Sequence, residues 1–492
     1  MKIADFELER YFARWEFAVR QLLCASDLEG YPMAELLALA DDESRGLWQG
    51  LRLGYTESSG HPLLRAEIAA LYDTISPDEV LVFSGAEEAI FCLLNVVVGP
   101  GDHAIVTWPG YQSLSEVARA AGAETTLHEL REEDGWALDV DRIRAAMRPA
   151  TRLIVVNAPH NPTGMLPGHA KWRALTELCA EAGIHLFADE VYRFLEYADA
   201  DRLTAGADAF PLGISLGVMS KSFAMAGLRI GWLATHDRSL LERCAAFKDY
   251  TTICPSAPAE ILSLIGLRAR ATVLGRSQQI ISANLAHLDR FMTERPDVMT
   301  WVRPRAGSVA YPALTMAGRF SGWDADRFAT ELVEAEGVLL LPGSRFGQPG
   351  NHVRLGFGRV DLPEALAGLE RFASRPQAIT PGERQIEGLG LGMRRGLPSW
   401  AVLRGLVSAS DFLWASNARE SAARAETLPR NRGLSLWTHA PTRGPGQGLS
   451  GSVALGALAG EVQERRLDDG CADTTPARLD RPLGLQTRAR PF

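Results

Sequence analysis

Six short runs of β-forming apolar residues, most of them separated by helical stretches, constrain this chain more than any other feature. They are VLVFSG from Val80, HAIVTW from His103, RLIVVNAP from Arg152, IHLFADE from Ile184, ISLGVMS from Ile214 and RIGWLAT from Arg229. A strand without polar alternation is apolar on both faces and has to be covered on both. Stretches such as EEAIFCLLNVV and HAKWRALTELCAEAG supply the covering helices. The order predicts an α/β fold: a large domain with a mainly parallel mixed sheet between helices. ISLGVMS and RIGWLAT stand too close together for a crossover helix, which predicts an antiparallel pair. Beyond residue 275 a long helical run precedes strand-like VMTWVRP, GSVAYPAL, VLLLPG and HVRLGFG, and the helix LPEALAGLERF closes the series. That is a smaller C-terminal α/β domain. The expected division is an N-terminal segment 1–45, a large domain 46–275, a small domain 276–375 and a tail 376–492.

Composition separates the tail from the rest. Residues 376–492 hold 15 Arg, 11 Asp+Glu and no Lys, broken by Gly and Pro, so no apolar period is sustained and a mostly unstructured segment is expected. A formal charge of −9 over the whole chain argues against a general nucleic-acid binder. No run reaches the roughly 20 apolar residues that span a bilayer. The opening MKIADFELER lacks the apolar stretch of a signal peptide. Six scattered cysteines without a C-x-x-C pair fit neither a metal site nor a disulfide framework. A cytoplasmic, reduced protein that engages neither membrane nor nucleic acid is expected.

The chain has four lysines, Lys2, Lys171, Lys221 and Lys248, and one is placed differently from the others. Lys221 follows the apolar strand ISLGVMS inside the small-residue turn SKSFAMAGLRIG. A lysine at a strand end within a large α/β domain is costly without a partner or a covalent task; the plain alternative is a lysine snorkelling to the surface. IHLFADE delivers Asp189 at its polar end, with Tyr192 in the following turn. RLIVVNAP delivers Asn157, and the loop after it carries Asn161. These lie just past the carboxyl ends of parallel strands, where ligand crevices form in open α/β sheets. VLVFSG runs into AEEAIFCLLNVV, so the amides of Gly85, Ala86 and Glu87 could face an anion. The plain reading of SGAEEA is a capped helix start, with Ser84 as the cap and Glu87 in the capping-box position.

Taken together, SKSFAMAGLRIG, Asn161–Gly164 as N-P-T-G, and Asp189–Tyr192 as D-E-x-Y, in that order and spacing, resemble the class I/II aminotransferases of pyridoxal 5′-phosphate (PLP) fold type I. The resemblance covers roughly residues 20–375. It implies that Lys221 bonds covalently to the cofactor and later carries the proton, and that Asp189 pairs with the pyridine nitrogen. It implies that Asn161 and Tyr192 bind the phenolic oxygen and that Tyr111 stacks on the ring. Ser220, Arg229 and the amides around Ala86 and Glu87 would hold the phosphate. Arg354 would take the substrate α-carboxylate as a bidentate pair. Tyr55 would reach the phosphate of a neighbouring subunit, so that a homodimer shares its sites. The implied activity is transfer of an amino group between an L-amino acid and a 2-oxo acid.

Two departures qualify this resemblance. Val218 stands three positions before the lysine, where the family carries Ser, Thr or Gly. The N-terminal DFELERYFARWEF is helix-like, and with WPGYQSL and NAPHNPTG it is similar to capreomycidine synthase-like members, which eliminate water and close a ring on a modified arginine. A PLP-dependent lyase or cyclase is therefore the alternative, with a non-catalytic PLP-binding regulatory domain a more distant one. Trp232 and Trp301 read as core, Cys254 as structural and His160 as a loop histidine. Arg303 and Arg305 would meet a second substrate carboxylate or face solvent.

Overall fold

The computed structural model describes residues 2–375; the tail expected at 376–492 lies outside them. Helix α1 spans Glu7–Trp15, within the segment read as helix-like. The main sheet is built from β1 (Val80–Phe83), β2 (His103–Trp108), β3 (Glu124–Glu129), β4 (Thr151–Asn157), β5 (His185–Asp189), β6 (Gly213–Val218) and β7 (Gly231–Ala234). Their spatial order is β1-β7-β6-β5-β4-β2-β3. Pairs from β3 through β6 are parallel, whereas β7 runs antiparallel to both β6 and β1. The six expected strands and the antiparallel pair are present. β3 is a seventh that sequence reading passed over. It is an edge strand of sequence ETTLHE, buried fully only at His128, and so has no apolar run to announce it.

Helices α2 (Ala86–Val97) and α3 (His169–Ala182) lie on opposite faces of this sheet. The two-residue period of a strand divides β4 between them. Leu153 and Val155 pack with Leu93 and Leu94 of α2, while Ile154 and Val156 pack with Leu175 and Leu178 of α3. Both faces are buried, which is why the strand reads as a continuous apolar run.

A long helix, α4 (Arg270–Glu294), leads to a second group of short strands. β8 (Met299–Thr300) pairs with β10 (Ala313–Leu314), and β9 (Val309–Ala310), β11 (Leu341–Pro342) and β12 (Val353–Gly356) form a three-stranded antiparallel sheet. These strands are shorter than their apolar runs suggest, since Pro304, Pro312 and Pro342 remove ladder donors. Helix α5 (Leu362–Ala373) closes a core that includes Leu288, Phe291, Phe328, Leu369 and Phe372. Leu23 and Leu28 belong to the same core.

Close packing at β6 and β7 fixes the strand that leads to Lys221. A Cβ on Gly217 would lie 2.3 Å from the Trp232 ring. That ring is 2% exposed and donates to Tyr72 Oη at 2.9 Å, so it cannot swing aside freely. Gly217→Ala should therefore destabilise the protein by about 1–3 kcal/mol, the usual cost of overpacking. Denaturant unfolding followed by tryptophan fluorescence measures this; an unchanged midpoint would show that the pair tolerates a side chain.

Candidate active site

Parallel pairing puts the ends of β4 and β5 side by side, with Asn157 opposite Asp189. Asn157 ties them together: its Nδ2 donates to the Asp189 carbonyl at 2.9 Å, and its Oδ1 accepts from the Asn161 amide at 2.6 Å. The loop carrying Asn161 is thereby held over the sheet edge. The chain after β6 adds Ser220 and Lys221. These residues surround a cavity of about 420 Å³, within the size range of small-molecule sites.

The cavity is lined by Lys221, Asp189, Tyr192, Ala86, Glu87, Tyr111, Asn161, Ser220, Arg229 and Arg354. Sequence reasoning named all ten. Gly85 is not a lining residue but adjoins Arg229, which is one. Tyr55 stands apart, 91% exposed on the surface of this chain. Arg303 and Arg305 line a separate surface hollow, and Arg303 is paired with Asp289 at 2.7 Å. Trp232 is buried, as expected, and Trp301 packs half-buried against the second core.

The start of α2 corrects the capping expectation. Gly85, not Ser84, is the N-cap, and no side chain caps the helix. Gly85 has φ +92°, a backbone region that side chains disfavour. A Cβ there would lie 2.7 Å from Arg229 Nη2, and one on Gly231 would lie 2.7 Å from the Ala86 amide nitrogen. Arg229 itself sits at φ +52°, an uncommon conformation for a non-glycine residue. The result is a cradle of free helix-start amides facing a guanidinium, the arrangement that binds phosphate. One carboxylate intrudes on it. Burial pushes the Glu87 carboxyl up, and Ser113 Oγ donates to its Oε1.

Among the described residues, three buried groups lack the partner their chemistry calls for. Tyr192 is 1% exposed, yet its hydroxyl has no hydrogen-bond partner. Arg354 is 1% exposed and donates only to neutral oxygens: Cys24 O at 2.9 and 3.1 Å, and Asn161 Oδ1 at 3.2 Å. Asp189 is 4% exposed and accepts from the Val191 amide at 3.3 Å. Burial pushes its carboxyl up to about 7, against the opposing pull of that amide and of Lys221. Lys221 Nζ donates to Ser26 Oγ at 2.8 Å. Ser26 was missed by sequence reasoning, because nothing local marks it and only the fold brings it to the lysine. The same is true of α1, whose Leu8, Glu9 and Phe12 roof the cavity.

An anion cradle, a buried carboxylate, an orphaned hydroxyl and a lysine around one cavity fit PLP. The family described as aminotransferase class I and II matches residues 23–371, and this chain belongs to it. It is a PLP-dependent enzyme of fold type I. Among relatives, it is 30% identical over 376 residues to capreomycidine synthase of Streptomyces vinaceus, covering 75% of this chain and 92% of that one. It is 28% identical to an aspartate aminotransferase of Geobacillus stearothermophilus, covering 65% and 83%. A PLP-dependent aminotransferase from Streptococcus suis superposes with a TM-score of 0.71 at 29% identity, over 76% of this chain and 98% of that one. The PLP-dependent cyclase OrfR superposes with a TM-score of 0.68 at 30% identity, over 76% and 97%.

The raised Asp189 carboxyl has a consequence for stability. Its ionised form is disfavoured in the folded cofactor-free protein, so ionisation penalises folding as pH rises from about 4 to about 7. Above that the penalty is constant, and below the unfolded value it vanishes. Asp189→Asn should stabilise the cofactor-free protein by roughly 2–4 kcal/mol at pH 8 and by little at pH 4. Denaturant melts at both pH values test this; equal stability of variant and parent at pH 8 would contradict it.

Proposed function

We propose that this chain is an aminotransferase that moves the amino group of an L-amino acid to a 2-oxo acid. The observation that carries the reading is Arg354, a buried cation with only neutral partners among the described residues, in the same cavity as Lys221 and Asp189. A desolvated guanidinium without a counter-charge is costly, and a substrate α-carboxylate would supply that charge as a bidentate pair.

Other roles follow residue by residue. Gly85, Ala86 and Glu87 through their amides, with Ser220 and Arg229, hold the phosphate. Val218 lines the cavity without a hydroxyl, so it adds nothing to that grip. Asp189 pairs with the ring nitrogen, and the positive charge there returns its carboxyl to the ionised form. Asn161 and Tyr192 hold the phenolic oxygen, which gives the orphaned Tyr192 hydroxyl its partner. Tyr111, wedged between Glu87 and the Phe6 ring at 5.2 Å, lies against the ring. When bound, the cofactor withdraws electrons from the substrate Cα, so that the C–H bond there loses its proton readily. Lys221 Nζ takes that proton and returns it at another carbon. Helix α1 limits the access of water.

A homodimer with shared sites belongs to this reading. Thr56 Oγ1 donates to the Pro255 carbonyl at 3.0 Å and Ser58 Oγ to the Ile253 carbonyl at 2.8 Å, which binds the loops around 55 and 253 together. Leu53, Tyr55, Tyr250 and Ile253 are exposed on these two loops. An apolar patch of this kind suits a two-fold contact. Tyr55 would then serve the partner's site rather than its own.

The second reading is a lyase or cyclase. It is favoured by the likeness to capreomycidine synthase and to the cyclase OrfR. A single-turnover experiment separates the two. Loaded enzyme mixed with a stoichiometric amino donor should lose the aldehyde absorbance and accumulate the amine form of the cofactor, with release of a 2-oxo acid. Retention of the aldehyde while an unsaturated or cyclic product appears would replace the transaminase reading with the lyase reading.

A further inference from the structure

The mouth of the cavity carries negative charge that the proposed cofactor contacts do not use. Glu9, Phe12 and Glu16 stand at i, i+3 and i+7, on one face of α1 and its C-cap. All three line the cavity. Neighbouring acids are neutralised: Glu7 pairs with Arg345 at 2.9 Å and Asp27 with Arg359 at 3.0 Å. The carboxylates of Glu9 and Glu16 have no hydrogen bond or ion pair among the described residues; the Glu16 backbone amide donates to the Phe12 carbonyl at 2.8 Å.

The helix is held with this face at the cavity mouth, where Glu9 is exposed and Phe12 and Glu16 are half-buried. The Glu7 amide donates to Gln112 Oε1 at 3.0 Å, Gln112 Nε2 donates to the Asp5 carbonyl at 2.8 Å, and Tyr11 Oη donates to the Leu340 carbonyl at 3.0 Å. Phe12 lies 5.8 Å from the Arg354 guanidinium. The cavity thus has a buried cation at one end, an aromatic ring beside it and two carboxylates on the rim. Arg354, buried on the same lining and bonded only to neutral oxygens among the described residues, independently shows a cavity shaped for an anionic ligand group.

We propose that Glu9 and Glu16 select an L-amino acid whose side chain ends in a cation, either a guanidinium or an ammonium group. This rests on the reading that Arg354 holds the α-carboxylate. A substrate anchored there extends past Phe12, which contacts its methylene groups, toward the rim carboxylates. A distal cation relieves the repulsion that, with burial, raises the Glu16 carboxyl beside Asp27 and Glu9. An acidic side chain would meet two like charges and be rejected.

The test compares matched ligands on the PLP-loaded protein: L-arginine against its neutral isostere L-citrulline, and L-lysine against L-norleucine, with L-aspartate as the anionic control. Equilibrium binding is read by the change in cofactor absorbance and by calorimetry. At least one cationic ligand should bind about tenfold tighter than its neutral counterpart, the scale of a charge-assisted contact, and L-aspartate should bind weakest. In the Glu9→Gln, Glu16→Gln double variant the cationic advantage should shrink toward onefold, with L-citrulline affinity nearly unchanged. Neutral ligands binding as tightly as cationic ones would overturn the proposal while leaving an amino-acid site in place. An arginine-to-citrulline ratio unchanged in the variant would overturn the assignment to these two residues. If no amino acid alters the absorbance or releases heat, the reading of the site fails, and this inference with it.

Discussion

Burial of charge without local compensation is the constraint around which this molecule is arranged. Asp189, at the end of a strand buried on every side, and Arg354, on the second sheet, are both withdrawn from water. Among the described residues, neither has an opposite charge bonded to it. Each would cost several kcal/mol if left so, and a fold optimised only for stability would replace both. On the proposed reading they are tolerated because the cavity between them takes a cofactor with a cationic ring nitrogen and a substrate with an anionic carboxylate. The parallel sheet supplies the rigidity, since strand ends cannot move without breaking the ladder behind them. Asn157, bonded to both the β5 carbonyl and the Asn161 amide, transmits that rigidity to the loop.

Much of this was legible in the amino-acid order, for identifiable reasons. Strands buried on both faces announce themselves as unbroken apolar runs, and the residue that ends each run falls at the sheet edge. Asp189, Asn157 and Lys221 could thus be placed before any coordinates. The half-exposed edge strand β3 has no such run and was invisible. At the start of α2, SGAEEA fits a local capping rule as well as an anion cradle, and nothing local decides between them. What selects Gly85 there is the Arg229 guanidinium, more than 140 residues away in sequence. Ser26 beside Lys221 is likewise a purely tertiary contact.

Helix α1 shows both limits at once. Its helical character was readable from DFELERYFARWEF, but not what it covers. Its Glu9 and Glu16 follow the ordinary pattern of a solvated face, and only its docking through Gln112, Leu340 and Arg345 turns that face onto the cavity. The frame of the cavity thus comes from the buried sheet, whereas the negative charge at its mouth comes from a surface helix. Residues on such a helix can change without disturbing the frame.

Which lysine carries the cofactor decides whether this cavity is the active site. Lys171 is exposed on α3, and Lys248 is fully buried, donating to the Ser58 carbonyl. Only Lys221 lines the cavity with Asp189 and Arg354. Borohydride reduction of the PLP-loaded full-length protein, followed by proteolysis and mass mapping, reads the attachment point directly. The label should fall on Lys221 within SKSFAMAGLRIG; finding it on Lys171 or Lys248 would contradict the site described above.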